Sequence, residues 1–180
     1  MKGIVFTEFL EMAENRFSAQ TIEQLIEQAD LPSKGIYTSV GTYDYHEMVT
    51  LVTHLSGLVG NSVPDLLKEF GRYLLKRFVA KFPHFFEGIS STLDFLPRVE
   101  SFVHLEVKKL YPDAELPTFS CVLPKPGQLE MTYRSTRNLP DLAEGLILGC
   151  AEYFGESLAI EKTEVAENPP AVLFAITALT

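Results

Sequence analysis

The sequence predicts an α+β fold: an N-terminal helical lobe, then a C-terminal lobe of about four antiparallel strands packed with helices. Three observations predict it. Apolar residues recur at helical spacing through residues 2–111, and the period changes to alternation beyond Pro117. Two turn-forming segments, Pro124-Lys125-Pro126-Gly127 and Asn168-Pro169-Pro170, each lie between a pair of strand-like runs.

Each element has a local reason. Residues 2–17 place Ile4, Val5, Phe6, Phe9, Leu10, Met12, Ala13 and Phe17 on one broad apolar arc, which makes a helix. Ser18 caps a second helix through Thr21, Ile22, Leu25, Ile26 and Ala29. It stops before Leu31-Pro32, because proline pushes the residue before it out of helical backbone. Residues 33–43, with Gly35 and Gly41, read as a connection. Asp44 caps a helix with Met48, Val49, Leu51, Val52, Leu55 and Leu58 inward, ended by Gly60-Asn61. Ser62 caps the next, with Pro64 in its first turn and Leu66, Leu67, Phe70, Leu74, Leu75, Phe78 and Val79 buried. A short helical piece follows Pro83 to Gly88. A longer helix runs from Ser91 to Tyr111, and Pro97 inside it predicts a kink or a break. Phe119–Leu123 and Gln128–Ser135 form one hairpin, Pro140 opens a helix to about Phe154, and Ser157–Ala166 with Ala171–Leu179 form a second. The order is six or so helices followed by ββαββ, with no repeat, linker or low-complexity segment, so residues 1–180 read as a single domain.

Composition narrows the function. The net charge of −9 argues against nucleic acid, since counterion release needs a basic footprint, and no Lys/Arg run exceeds Lys108-Lys109. The apolar runs are too short to span a bilayer, and Glu8, Glu11 and Glu14 interrupt any signal-peptide pattern. Cys121 and Cys150 make neither a disulfide framework nor a four-ligand zinc site. The expectation is a cytoplasmic protein without a membrane or nucleic-acid partner. Thirteen Phe and seven Tyr supply an aromatic interior able to line a large apolar pocket, although composition alone favours an ordinary well-filled core.

The chemistry-bearing residues are few. There is no HExxH pair, no GxSxG elbow and no glycine-rich phosphate loop, so hydrolytic and phosphoryl-transfer enzymes have no support. Residues 133–137 read Tyr-Arg-Ser-Thr-Arg. In a strand, alternation puts Tyr133, Ser135 and Arg137 on one face, where a phenol, a hydroxyl and a guanidinium hold an anion. On the long helix, Leu96, Val99, Val103, Val107 and Leu110 define an apolar arc with His104 at its rim. Each has an ordinary reading, a polar surface strand and a partly buried histidine. Together an anion clamp and a neutral nitrogen ligand suggest haem, with carboxylates at one edge and iron at its centre.

Taken across its length, the chain resembles the haem-nitric oxide/oxygen binding (H-NOX) family, bacterial relatives of the haem domain of soluble guanylate cyclase. The resemblance runs through Met1-Lys2-Gly3, Phe70-Gly71-Arg72-Tyr73, Val103-His104-Leu105, Leu116-Pro117-Thr118-Phe119 and Tyr133-x-Ser135-x-Arg137. It implies haem b between a distal helical lobe of about residues 1–62 and a proximal lobe of residues 63–180. It makes His104 the proximal iron ligand and Tyr133, Ser135 and Arg137 the propionate clamp. Pro117 becomes the proline that presses on the porphyrin, a role an ordinary loop proline would not have, and Phe78 and Leu146 become haem contacts. In the family's oxygen binders a tyrosine lies five residues after the motif arginine; here that position is Leu142. The other distal positions fall at Val5, Phe9 and Leu74, all apolar, although Tyr73 or Tyr153 has the length to reach in. Dioxygen on ferrous iron gains from a hydrogen-bond donor far more than nitric oxide does, so this wall favours nitric oxide and carbon monoxide. In the family, nitric oxide weakens the bond to the proximal histidine and lets the lobes shift.

The resemblance also implies signalling in trans to a histidine kinase or a diguanylate cyclase/phosphodiesterase, an expectation that fits a chain ending at Thr180. With no cysteine after Cys150, the zinc site of some members is not expected, and Cys121 reads as a structural thiol. Competing readings are an oxygen or redox sensor of the same fold, a haem enzyme, and a haem-free interaction module. The enzyme needs distal acid–base groups, which the wall lacks.

Overall fold

The computed structural model describes residues 1–179. Its helices are α1 (Gly3–Arg16), α2 (Ala19–Gln28), α3 (Tyr45–Val59), α4 (Val63–Lys81), α5 (Thr92–Arg98), α6 (His104–Leu110) and α7 (Pro140–Phe154). Its strands are β1 (Thr118–Val122), β2 (Gln128–Arg134), β3 (Ser157–Val165) and β4 (Ala171–Leu179). The fold is α+β, as the sequence predicts. The expected caps form: Ser18, Asp44, Ser62 and Ser91 accept from the amides of Thr21, His46, Asp65 and Asp94. Gly60 closes α3 at φ 75° and Gly155 closes α7 at φ 70°, a left-handed backbone that glycine adopts without penalty.

The helix expected from Ser91 to Tyr111 is interrupted. Pro97 has no N–H for the preceding turn, and its ring displaces the carbonyl it would have met. Val99–Val103 then forms a π turn, in which the His104 amide bonds back to the Val99 carbonyl. The wider turn takes up an extra residue and shifts the phase of everything after it. This corrects the expected apolar arc, since Leu110 is 67% exposed rather than buried.

The sheet order is β1-β2-β4-β3, antiparallel throughout, with Phe119 opposite Tyr133 and Tyr133 opposite Val172. Leu129, Met131 and Tyr133 alternate inward on β2, and Val172, Phe174 and Ile176 do so on β4. Helices α4 and α7 meet backbone to backbone. A Cβ on Gly145 would lie 2.2 Å from the Lys68 carbonyl oxygen, and one on Gly71 2.6 Å from that of Leu142.

Burial divides into two cores. One is built from α1–α4 around Phe6, Phe9, Leu51, Leu55, Phe70 and Leu74. The other lies between the sheet, α5 and α7 around Phe86, Phe95, Leu129, Phe174 and Ile147. Helix α4 feeds both, through Phe70 and Leu74 on one side and Leu75 on the other, and Leu146 of α7 borders both. No helix among the described residues is long and apolar enough to cross a membrane.

Candidate cofactor site

His104 is the first residue of α6, immediately after the π turn. Its Nδ1 lies 3.1 Å from the Glu100 carboxylate, and its side chain is 13% exposed. A carboxylate only accepts, so Nδ1 carries the proton and Nε2 keeps its lone pair. Burial holds the imidazole pKa below its ordinary value, against the opposing pull of Glu100, which favours a neutral ring. Nε2 takes no hydrogen bond among the described residues. The same Glu100 oxygen accepts the Phe119 amide at 3.2 Å. The His104 and Phe119 rings are 5.5 Å apart, and Phe119 is 5.8 Å from Tyr133.

The motif of residues 133–137 is held differently from the strand alternation expected of it. Strand β2 stops at Arg134, so only Tyr133 owes its position to alternation. Beyond it the chain turns, with the Asn138 amide on the Ser135 carbonyl at 3.3 Å and Asn138 at φ 46°. The Ser135 hydroxyl accepts the Arg137 amide and the Tyr133 hydroxyl accepts the Leu139 amide, each at 3.1 Å. Tyr133 and Ser135 are buried, and their hydroxyl protons have no acceptor among the described residues.

Arg137 opens toward a cleft of about 230 Å³ lined also by Met1, Lys2, Thr42, Tyr43, Asp44, Tyr45, Asp113, Ala114 and Glu115. Tyr133 and Ser135 do not line that cleft. The Arg137 guanidinium donates to Glu115 at 3.1 Å, a carboxylate 83% exposed and therefore weakly held. The Met1 amine donates to the Tyr43 carbonyl at 2.6 Å, and burial followed by Arg137 lowers its pKa. Pro117 is half-buried between Glu115, which pairs with Arg137, and Phe119, whose amide reaches Glu100.

Val5, Phe9, Leu74, Phe78, Leu142 and Leu146 all join the first core. Phe9 and Leu74 are fully enclosed, and the Phe9 ring meets Phe70 edge-on at 5.2 Å. Tyr73 packs against the same core, whereas Tyr153 does not. Tyr153 is 48% exposed and packs on Phe86 and Phe154. The Tyr73 hydroxyl faces Glu11, and burial followed by that negative charge raises its pKa.

Among the polar groups that local sequence did not single out are Glu100, Glu8 and Glu47, the last buried and accepting from Ser33 and Tyr37. Glu100 had a signal, its i,i+4 spacing to His104. Glu8 is 2% exposed and is neutralised by Arg77 at 2.6 Å and by Lys81, while Arg77 also reaches Glu11. The four-residue spacing of Arg77 and Lys81 on α4 was the available clue.

The donor set therefore fits a flat apolar group that bears carboxylates and needs one neutral nitrogen ligand. Unspent hydroxyl protons and a guanidinium suit the anions, the buried imidazole suits iron, and the wall suits the macrocycle.

A family model described as haem-NO-binding matches residues 2–162. The unliganded Fe(II) H-NOX protein of K. algicida is 34% identical at a TM-score of 0.93, over 100% of this chain and 97% of that one. The H-NOX of Shewanella woodyi, solved with IWP-051 in the Fe(II)CO state, is 39% identical at 0.85, over 99% and 95%. The H-NOX protein of S. oneidensis in the Fe(II)NO state is 23% identical at 0.90, over 100% of both chains, and supports the fold alone. No curated protein matches the chain by sequence.

Proposed function

The chain belongs to the haem-NO-binding (H-NOX) family of haem-based gas sensors, and on that premise we propose that it senses nitric oxide, binds carbon monoxide and discriminates against dioxygen. The cofactor is haem b, which supplies a ferrous centre able to take a diatomic gas. His104 holds the iron through Nε2. Arg137, whose present partner is the exposed Glu115, would hold a propionate, and Tyr133 and Ser135, whose hydroxyls accept amides, would donate their protons to it. Pro117 would press on the macrocycle, and Phe78 and Leu146 would contact it. Residues 1–62 act as the distal lobe and residues 63–180 as the proximal one.

One observation carries the gas preference. Val5, Phe9, Leu74 and Leu142 join one apolar cluster, while the hydroxyls around it are committed elsewhere. Tyr37 donates to Glu47, the Tyr43 hydroxyl accepts from the Thr38 amide and meets the Thr38 hydroxyl at 3.4 Å, and Thr7 donates to the Ile4 carbonyl of its own helix. A wall without a donor offers little to the partial charge on dioxygen and leaves nitric oxide unaffected. The output, by family resemblance, passes in the cytoplasm to a histidine kinase or a diguanylate cyclase/phosphodiesterase, and the protein itself catalyses no reaction. The test is the absorption spectrum of the ferrous protein. It should carry a Soret band, shift with nitric oxide and with carbon monoxide, and stay unliganded in air until slow oxidation. A spectrum that changes on aeration and reverts on deaeration would overturn the preference, and absence of a Soret band after reconstitution would overturn haem binding.

A further inference from the structure

Glu100 makes two bonds with one oxygen. It accepts the His104 Nδ1 proton at 3.1 Å and the Phe119 amide at 3.2 Å, and so joins the π turn, the start of α6 and strand β1. Phe119 stands opposite Tyr133 in the sheet and packs its ring between Tyr133 and His104. We propose that Glu100 is a positioning residue that selects Nε2 of His104 for the iron, strengthens that bond, and couples the histidine to strand β1. The inference rests on the assignment of His104 as the iron ligand.

An imidazole in water favours neither ring orientation strongly, and a fixed acceptor on one nitrogen decides which nitrogen is left. An ionised acceptor on Nδ1 also makes Nε2 the better electron donor to a metal. The Phe119 amide matters because it fixes the acceptor. A side chain 40% exposed would otherwise sample several rotamers, and the strand amide holds it where the ring needs it. Motion of His104 away from the iron must then break this bond or pull on β1 through it.

The experiment compares wild type with Glu100→Ala, Glu100→Gln and His104→Gly, all as full-length ferrous protein of matched helical content. Resonance Raman of the unliganded form reads the iron–histidine stretch, and proton NMR of the CO-saturated form reads the His104 Nδ1 proton. Glu100→Ala should lower the stretch, speed solvent exchange of that proton about 10-fold or more, and speed haem loss about 10-fold. Glu100→Gln, which keeps a neutral acceptor, should fall between Ala and wild type in all three. A stretch and an exchange rate unchanged in a folded Glu100→Ala protein would overturn the inference. His104→Gly separates the two levels: an iron–histidine band that survives this substitution would overturn the ligand assignment, whatever Glu100 does. If no variant holds haem, tautomer detection by nitrogen NMR of the full chain decides. Loss of the Nδ1–H form in Glu100→Ala supports selection, and its persistence refutes it.

Discussion

The two sides of the candidate site are built on opposite principles. The wall of Val5, Phe9, Leu74 and Leu142 is made of interchangeable apolar groups held by packing alone. The corner of His104, Glu100, the Phe119 amide, Tyr133 and Arg137 is made of polar groups, most of them tied to a named partner. Dispersion and burial are non-directional, so the wall sets what is excluded: water, charge and hydrogen-bond donors. Hydrogen bonds are directional and costly to leave unmade, so the corner sets what is held and in which orientation. On the proposed function, selectivity and anchoring are thereby separated in space.

Substitutions can break that comparison or sharpen it. The largest effect is expected at the corner. His104→Gly should abolish haem retention through gel filtration, with the Soret band restored by added imidazole. Retention without imidazole would show that the apolar wall holds the cofactor by itself. Next comes the wall. Phe9→Ala should lower stability by about 3–5 kcal/mol in denaturant unfolding, the cost of emptying a fully enclosed aromatic site. A loss below about 1 kcal/mol would mean that the wall collapses freely around the missing ring and is not closely packed.

A smaller effect tests the corner without removing bulk. Tyr133→Phe leaves the buried Leu139 amide without its acceptor and should cost about 1–3 kcal/mol, with faster haem loss. Unchanged stability would mean that the turn of residues 135–139 closes without the phenol. The smallest effect concerns reactivity alone. Burial pushes the Cys121 thiol up to about 11, so alkylation should be slow at pH 8 and accelerate about tenfold per pH unit toward pH 11. The sign follows from the thiolate being the nucleophile. Cys150, more deeply buried and raised further, should react only on unfolding. Fast labelling of Cys121 at pH 8 would place it on an open surface rather than beside the second core.

The helices and strands could be read from local chemistry because their causes are local. Ser18, Asp44, Ser62 and Ser91 cap the helices that follow them, Gly60 ends α3, and the change of period after Pro117 marks the sheet. Pro97 announced a disturbance but not its form, because a kink, a break and a π turn all answer a missing N–H. The choice depends on what the following residues pack against. His104 and residues 133–137 were legible as a candidate ligand and a candidate clamp through their residue types and order. Their support was not. Alternation cannot continue past Arg134, so Ser135 and Arg137 are positioned by a turn closed on the Tyr133 hydroxyl.

By itself the sequence determined the elements, their order, the family resemblance and the candidate residues, since propensity, capping and spacing act within a few residues along the chain. Only the tertiary structure decided which groups share an atom. Glu100 serves a histidine four residues away and an amide nineteen residues away. Glu8 meets cations on a helix more than sixty residues distant. Such partners are chosen by the close approach of α1 to α4 and of the π turn to β1, a consequence of how the whole chain packs that no local window contains.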